Sequence, residues 1–371
     1  MSSRDFFFAG GGTGGHIYPA IAVAEKIVKI SPEARIHFFC SVRSIDAKIL
    51  SKTGFEYTTL PAKGFSIRPR ELIGFCSSFI ESFKIARKII AGSEKPVVIG
   101  VGGFVAAPVC LAGHKLKVPV ALLNVDIVPG KANKIVARWA DEIFLQFEET
   151  GEYFARSKAR INVVGCPLRS EFENPDPERV KSELGLDPEK KILLVTGASS
   201  GAANVNEAVC LLLEKLSFFS EAWQIVHLTG RANFEEVKKK YSNAKIGHKV
   251  LDYFDNMAGL LAAADLLIGR SGAVSVAEYA AGVCPAICMP YPYHKDMHQY
   301  LNAGKLVEAG AAVIVDDLAN AGERAEWLAE ELEELMANDS KREEMRDACK
   351  KIANTKASLK IAEILLKINE Q

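Results

Sequence analysis

Residues 9–16 read A-G-G-G-T-G-G-H, five glycines and a histidine set between the apolar run Phe6–Phe8 and the helix-like stretch PAIAVAEKIVKI (19–30). Glycines let backbone amides come close to a ligand. At the head of a helix, such amides bind phosphate. A histidine at the rim of that turn is a candidate base for a hydroxyl that must lose its proton. Gly10-x-Gly12-x-x-Gly15 also matches the dinucleotide fingerprint. That reading requires an acid at the end of the second strand to hold a ribose diol. Here RIHFFC is followed by Ser41, Val42 and Arg43, so no acid is in place and only Arg43 would suit a 2′-phosphate. The Gly-Lys-Ser/Thr ending of a P-loop is absent from the chain.

Glycine turns recur at Gly100, Gly102 and Gly103, at Gly197 and Gly201, and in GRSGAVSVAE (269–278). Any α/β protein places glycines where strands meet helices, which explains one or two such turns. Four on one edge point to anionic ligands on exposed N–H groups. No D-x-D pair occurs, and Asp316-Asp317 are adjacent, so their side chains point to opposite faces of a strand. A bound diphosphate is therefore expected to be neutralised by helix N-termini and backbone amides, with no metal and no cofactor. His294 and His298 stand i, i+4 without an apparent third ligand, which argues against zinc. His16 falls at a helix start, whose positive end disfavours imidazolium. It is expected to stay neutral, either as a base or acceptor contact or as a residue that only caps the loop.

These turns must be carried by strands and helices in alternation. DFFFAG, RIHFFCS, KPVVIGVGG, VPVALLNVD and DEIFLQF are strand-length apolar runs, and helical periodicity separates them. Near-continuous apolar strands between helices predict a parallel sheet covered on both faces. The stretch 165–190 breaks the rhythm with Pro167, Pro175, Pro177 and Pro188 and reads as a connection between domains. The pattern then restarts with KILLVTG, WQIVHLTG, KVLDYF, DLLIGRSG, PAICMPY and AAVIVDD, and the tail from Ala325 is helical. The expectation is two doubly wound α/β domains facing a cleft, residues 1–165 and 166–355. A last helix over about 356–371 is expected to pack back on the first.

The 371 residues carry 46 Lys+Arg and 46 Asp+Glu, so zero net charge gives no global electrostatic case for nucleic acid. Eight cysteines without a C-x-x-C pair suggest buried thiols in a reducing compartment. No signal peptide and no apolar run of transmembrane length are visible, so a cytosolic protein is expected.

Residues 9–20, GVGGFVAAP (100–108), GCPLR (165–169), GASSGA (197–202), RSGAVSVAE (270–278) and HKDMHQYLNA (294–303) occur in this order. Together they resemble the MurG family of peptidoglycan glycosyltransferases over nearly the whole chain. The resemblance implies a GT-B fold of two Rossmann-like domains. It implies metal-independent transfer of N-acetylglucosamine from UDP-N-acetylglucosamine to the 4-hydroxyl of lipid I, with inversion, giving lipid II. On the donor side it implies that Glu278 holds the uridine ribose. Ser199 and Arg169 would lie near the diphosphate and nucleobase edge, and Phe254 near uracil. Ser271, Gly272, Ala273, Val274 and Ser275 form the donor turn. By the same resemblance Gln299 and Asn302, with His298 beside them, would reach the N-acetylglucosamine hydroxyls. On the acceptor side, Thr13, Gly14, Gly15, Gly102, Gly103 and Asn124 would hold the lipid diphosphate, with His16 and Asp126 as the candidate bases.

Two stretches depart from the family pattern. Leu123-Asn124-Val125-Asp126 stands where the family usually has H-E-x-N, and His298 stands where it often has glutamine. The first leaves room for another lipid acceptor such as diacylglycerol. A lipid acceptor also implies peripheral attachment at the cytoplasmic face of the membrane. Residues 67–90 are the candidate surface, with Phe75, Phe79 and Phe83 on one helical face near Arg68, Arg70, Lys84, Arg87 and Lys88. The same pattern suits a helix packing its phenylalanines on a sheet. A UDP-sugar epimerase, a sugar-nucleotide binder without turnover and a dehydrogenase are the competing readings.

Overall fold

A computed structural model of the chain describes residues 4–12, 14–64, 68–198 and 201–368, with Pro69 and Arg70 described by backbone only. Thr13 and Ser199, both expected in the site, lie outside the described residues, as does the side chain of Arg70. The chain divides into two compact units, one made of residues up to 169 and from 356 onward, the other of residues 170–355.

The first unit runs β1 (Asp5–Gly10), α1 (Gly14–Ile30), β2 (Arg35–Ser41), α2 (Ser44–Leu50), β3 (Glu56–Leu60) and α3 (Pro69–Ala91). It continues with β4 (Val97–Gly102), α4 (Ala106–Lys115), β5 (Val120–Asn124), α5 (Lys131–Val136), β6 (Glu142–Leu145) and β7 (Arg160–Val163). The seven strands form a parallel sheet in the order 3-2-1-4-5-6-7. β1 and β4 are buried at every position, as central strands covered on both faces must be. The strand order reverses between them, and in open α/β sheets ligands bind at that point. Here the register slips between Ala9 and Gly10, so that Gly10 pairs with Gly102.

The second unit runs α6 (Pro177–Leu184), β8 (Lys191–Thr196), α7 (Ala203–Leu211), α8 (Leu213–Leu216), β9 (Trp223–Leu228), α9 (Phe234–Tyr241) and β10 (Gly247–Leu251). Then come α10 (Met257–Ala263), β11 (Leu266–Gly269), α11 (Ala273–Ala281), β12 (Ala286–Cys288), α12 (His298–Glu308), β13 (Ala312–Ile314), α13 (Ala321–Ala337) and α14 (Asp339–Ile352). Its six parallel strands repeat the same winding, β10-β9-β8-β11-β12-β13. Leu193, Val195, Ile225 and Ile268 on the sheet pack with Val205, Val209, Leu328 and Leu332 of the covering helices. α15 (Ala357–Ile368) belongs to the first unit and packs on α1, and the Arg4 guanidinium donates to the Leu366 carbonyl.

The proline-rich stretch 165–190, read as a connection between domains, spans the division between the two units and also contains α6. Asp176 caps that helix by accepting from Arg179 N at 3.0 Å, Pro177 opens it, and Gly185 ends it in the left-handed conformation. Its Val180 is buried against Gly259, where an added Cβ would meet Val180 Cγ2 at 2.7 Å. On α3, the phenylalanine stripe turns inward. Phe79 and Phe83 pack on the first unit's core beside Ala86 and Ile90, and Phe75 is half-buried. The outward apolar side chains are Leu72, Ile73, Cys76 and Ile80.

Candidate functional site

In the first unit the glycine turn is built around a carboxylate that the sequence reading passed over. Asp46, in the first turn of α2, is fully buried. Gly12 N donates to both of its oxygens, at 3.0 and 2.8 Å, and Ser41 donates through N at 3.1 Å and Oγ at 2.5 Å. Gly11 must be glycine because a Cβ there would lie 2.2 Å from Asp46 Oδ2. On the other side, Arg43 Nη1 donates to the Gly12 carbonyl at 2.9 Å. The arginine that would have faced a 2′-phosphate is therefore engaged with the loop itself.

The second turn closes on the first. Gly103, at φ +76°, has no room for a Cβ, which would sit 2.6 Å from the Gly11 carbonyl oxygen. Gly102, at φ +112°, leaves space that the His16 ring fills, with Cδ2 and Nε2 at 2.8 and 2.9 Å from a Cβ built there. His16 is the third residue of α1, following Gly14 and Gly15. Its pKa is lowered, and burial is the largest cause. Asp126, a hydrogen bond to the Gly11 backbone and Asp46 pull it back upward, in that order. The ring is therefore neutral near pH 7, as expected from the sequence, but through desolvation rather than through the helix end alone.

Asn124 is buried and its amide is spent within the loop. Its Nδ2 donates to the Asp126 carbonyl at 2.7 Å, and its Oδ1 accepts from Asn133 Nδ2 at 2.8 Å. Asn133 Oδ1 is buried without a hydrogen-bond partner and lies 3.5 Å from the Gly102 Cβ position. A buried carbonyl oxygen left open beside the histidine is suited to accept from a hydroxyl. Sequence reasoning missed Asn133; its only signal was a polar residue inside the helical run ANKIVARWA. Arg169 belongs to this unit as well, with its guanidinium 4.9 Å from the Tyr18 ring centroid.

In the second unit the turn after β11 is tied to α12. Ser271 is buried and its Oγ donates to the Gln299 carbonyl at 2.9 Å. Asn302, also buried, donates from Nδ2 to the Ser271 carbonyl at 3.2 Å. Gln299 Oε1 accepts from Tyr291 N at 2.9 Å. Gly272 is the N-cap of α11, and Ala273, Val274 and Ser275 form the helix's first turn. Glu278 is half-buried, within that helix. His298 opens α12, with Nδ1 2.7 Å from Asp296 Oδ1 and its ring stacked on His294 at 4.3 Å. Phe254 is half-buried in the turn between β10 and α10.

Behind this turn lies a buried charge network. Arg270 donates to the Met289 carbonyl and to Asp317 Oδ2, both at 2.7 Å. Asp317 Oδ1 also accepts from Asn204 of α7 at 2.9 Å and lies 3.4 Å from Arg324 Nη1. Asp316, just past the end of β13, accepts instead from Tyr300 OH at 2.8 Å. Among the described residues, no group of three His, Cys, Asp or Glu side chains is placed to hold a metal ion.

Two doubly wound units with glycine turns at their switch points have the architecture of a GT-B glycosyltransferase. The chain belongs to glycosyltransferase family 28: the family's N-terminal domain model matches residues 6–145 and its C-terminal domain model matches residues 192–362. Relatives run the full length. A protein of Oenococcus oeni named UDP-N-acetylglucosamine--N-acetylmuramyl-(pentapeptide) pyrophosphoryl-undecaprenol N-acetylglucosamine transferase is 34% identical, over 98% of this chain and 97% of its own. The protein of that name in Halothermothrix orenii is 37% identical over 90% of this chain and 91% of its own. The crystal structure of Acinetobacter baumannii MurG has the same fold, with a TM-score of 0.73 at 23% identity, covering 98% of this chain and 100% of that one.

Proposed function

We propose that the chain transfers N-acetylglucosamine from UDP-N-acetylglucosamine to the muramyl sugar of a pyrophosphoryl-undecaprenol lipid. The observation that carries this is kinship across both units to transferases of that name. In the reaction, the acceptor 4-hydroxyl oxygen bonds to the anomeric carbon and the bond from that carbon to the phosphate oxygen breaks. UDP leaves with the electron pair, and the hydroxyl proton passes to a base. His16 is the favoured base, because it is neutral near pH 7 and stands beside Asp126, which stabilises the imidazolium as it forms. Gly14 and Gly15, in the first turn of α1, offer amides to the lipid diphosphate. The turn from Ser271 to Ser275, with Glu278 and Gln299, is assigned to the donor. Ser271 and Asn302 hold that turn to α12.

No helix among the described residues is long and apolar enough to cross a membrane. The exposed Leu72, Ile73 and Ile80 on α3, near Lys84, Arg87 and Lys88, suit a helix lying against an anionic membrane surface.

The test is UDP release from UDP-N-acetylglucosamine in the presence of EDTA, with and without a lipid I analogue. Release that depends on the lipid, and is lost in folded His16→Ala, is the expected result. Binding of the donor without release would overturn the acceptor. The departure at 123–126, with Asn124 spent internally, favours one second reading, a different lipid acceptor. A parallel reaction with diacylglycerol distinguishes the two.

A further inference from the structure

The first glycine turn offers a backbone amide of the kind a phosphate uses, yet at Gly12 a side-chain carboxylate already holds it. We propose that Asp46 is a positioning residue of the acceptor site, which occupies the anion seat of the Gly11–Gly12 turn and through that turn fixes His16. This rests on the acceptor-side reading of His16 given above.

The geometry leaves the Gly12 amide no free capacity. It is shared by both Asp46 oxygens, at 3.0 and 2.8 Å. A phosphate at the same amide would have to displace a fully buried carboxylate that also holds Ser41 N and Oγ. Two anions cannot share one donor at this range without strong repulsion. The Gly12 amide is therefore not open to a phosphate, and an acceptor diphosphate is left the amides at the start of α1.

The carboxylate and the histidine are linked by a stack of close contacts. Asp46 holds the Gly12 amide, Gly11 is the next residue back along the chain, and His16 hydrogen-bonds the Gly11 backbone and fills the space beside Gly102. Gly11, Gly102 and Gly103 admit no side chain, because a Cβ built there would lie under 3.0 Å from Asp46 Oδ2, the His16 ring and the Gly11 carbonyl oxygen respectively. The Gly11–Gly12 backbone is therefore the route by which the Asp46 carboxylate sets the place of the imidazole. The carboxylates that face His16 are Asp126, from the loop after β5, and Asp46, from α2, and both favour its protonated form.

The test is Asp46→Asn, which keeps size but replaces one acceptor oxygen with an NH₂ facing two amide donors. Two readouts are needed. The first is the pKa of His16 in ligand-free protein, followed by NMR of the imidazole, with His16→Gln identifying its signal among the seven histidines. Removing a neighbouring negative charge should lower it by about half a pH unit or more. The second is kcat/KM for the lipid acceptor, expected to fall about tenfold, with the acid limb of its pH profile moving to lower pH and the KM for the UDP-sugar unchanged. A merely structural role would lower Tm and activity without moving the acid limb. A folded variant with an unmoved His16 pKa and acid limb overturns the proposal. If Asp46→Asn does not fold, Ser41→Ala removes the 2.5 Å donor and leaves the charge less shielded, so His16 should shift upward; no shift again overturns it. A shifted His16 in a protein that never releases UDP supports the positioning role and separately rejects the transfer reading.

Discussion

In the first unit the glycine turn after β1 closes over Asp46, whose hydrogen-bond donors are backbone amides and a hydroxyl. In the second unit the turn after β11 is braced by Arg270, whose guanidinium is met by Asp317 and the Met289 carbonyl. The winding of the two sheets is the same and both turns sit at a strand's carboxyl end. One has a carboxylate held on its Gly12 amide, and the other is backed by a guanidinium paired with the buried Asp317. Topology decides where a turn lies, while the groups packed against it decide which of its donors are left for a ligand. Under the proposed function the donor falls to the unit with the buried Arg270–Asp317 pair, and the unit with the buried carboxylate keeps a neutral histidine.

The largest break in this comparison should come from Asp317→Ala. Arg270 and Arg324 would be left buried without their shared partner, at a cost of about 3–5 kcal/mol. Urea unfolding followed through Trp223, buried in the second unit, would report it, and an unchanged midpoint would mean the network carries no net stability. Next in size is Gly102→Ala. The new methyl meets the His16 ring at 2.8 Å from a backbone at φ +112°. Acceptor-dependent turnover should drop about a hundredfold while UDP-sugar affinity stays within about twofold. A comparable loss of donor affinity would show that the two turns are not separable.

The third prediction concerns pH. His227 is fully buried between Tyr241 OH at 2.9 Å and Asn206 Oδ1 at 3.0 Å, and burial lowers its pKa to about 3. Below about pH 6.5 the unfolded chain binds a proton that the folded chain refuses. Stability should then fall by about 1.4 kcal/mol per pH unit until pH approaches 3. His227→Gln should flatten that slope between pH 6 and 4, and an unaltered slope would refute the assignment. The smallest effect belongs to Arg43→Ala. Its exposed contact to the Gly12 carbonyl should be worth about 1 kcal/mol or less by thermal unfolding, well below any change at Asp46.

The central strands were readable because parallel strands covered on both faces leave uninterrupted apolar runs. β3 and β7 were not, because each lies at a sheet edge with several exposed positions and gives no such run. α6 was hidden in proline-rich sequence, although Asp176, Pro177 and Gly185 are a cap, a first-turn proline and a C-terminal glycine in the right order. On α3 the period was legible and the direction was left between lipid and sheet, since periodicity marks a face without saying what covers it. Asp46 was missed for a more instructive reason. The dinucleotide test looked for an acid at the end of β2 and stopped at Arg43, three residues short. Asn133 could not be found by type or spacing, because its unsatisfied oxygen exists only once Asn124 has taken its amide.

The distribution of thiols has a practical consequence. Burial pushes Cys40 and Cys288 up to about 12 and Cys210 and Cys349 up to about 11, and Cys110 and Cys284 higher still. Of the eight cysteines only Cys76 is exposed, and it sits among the outward apolar residues of α3. A maleimide dye added to the native chain should therefore report from one place. An environment-sensitive fluorophore there would turn a vesicle titration into a direct optical reading of whether that helix meets lipid.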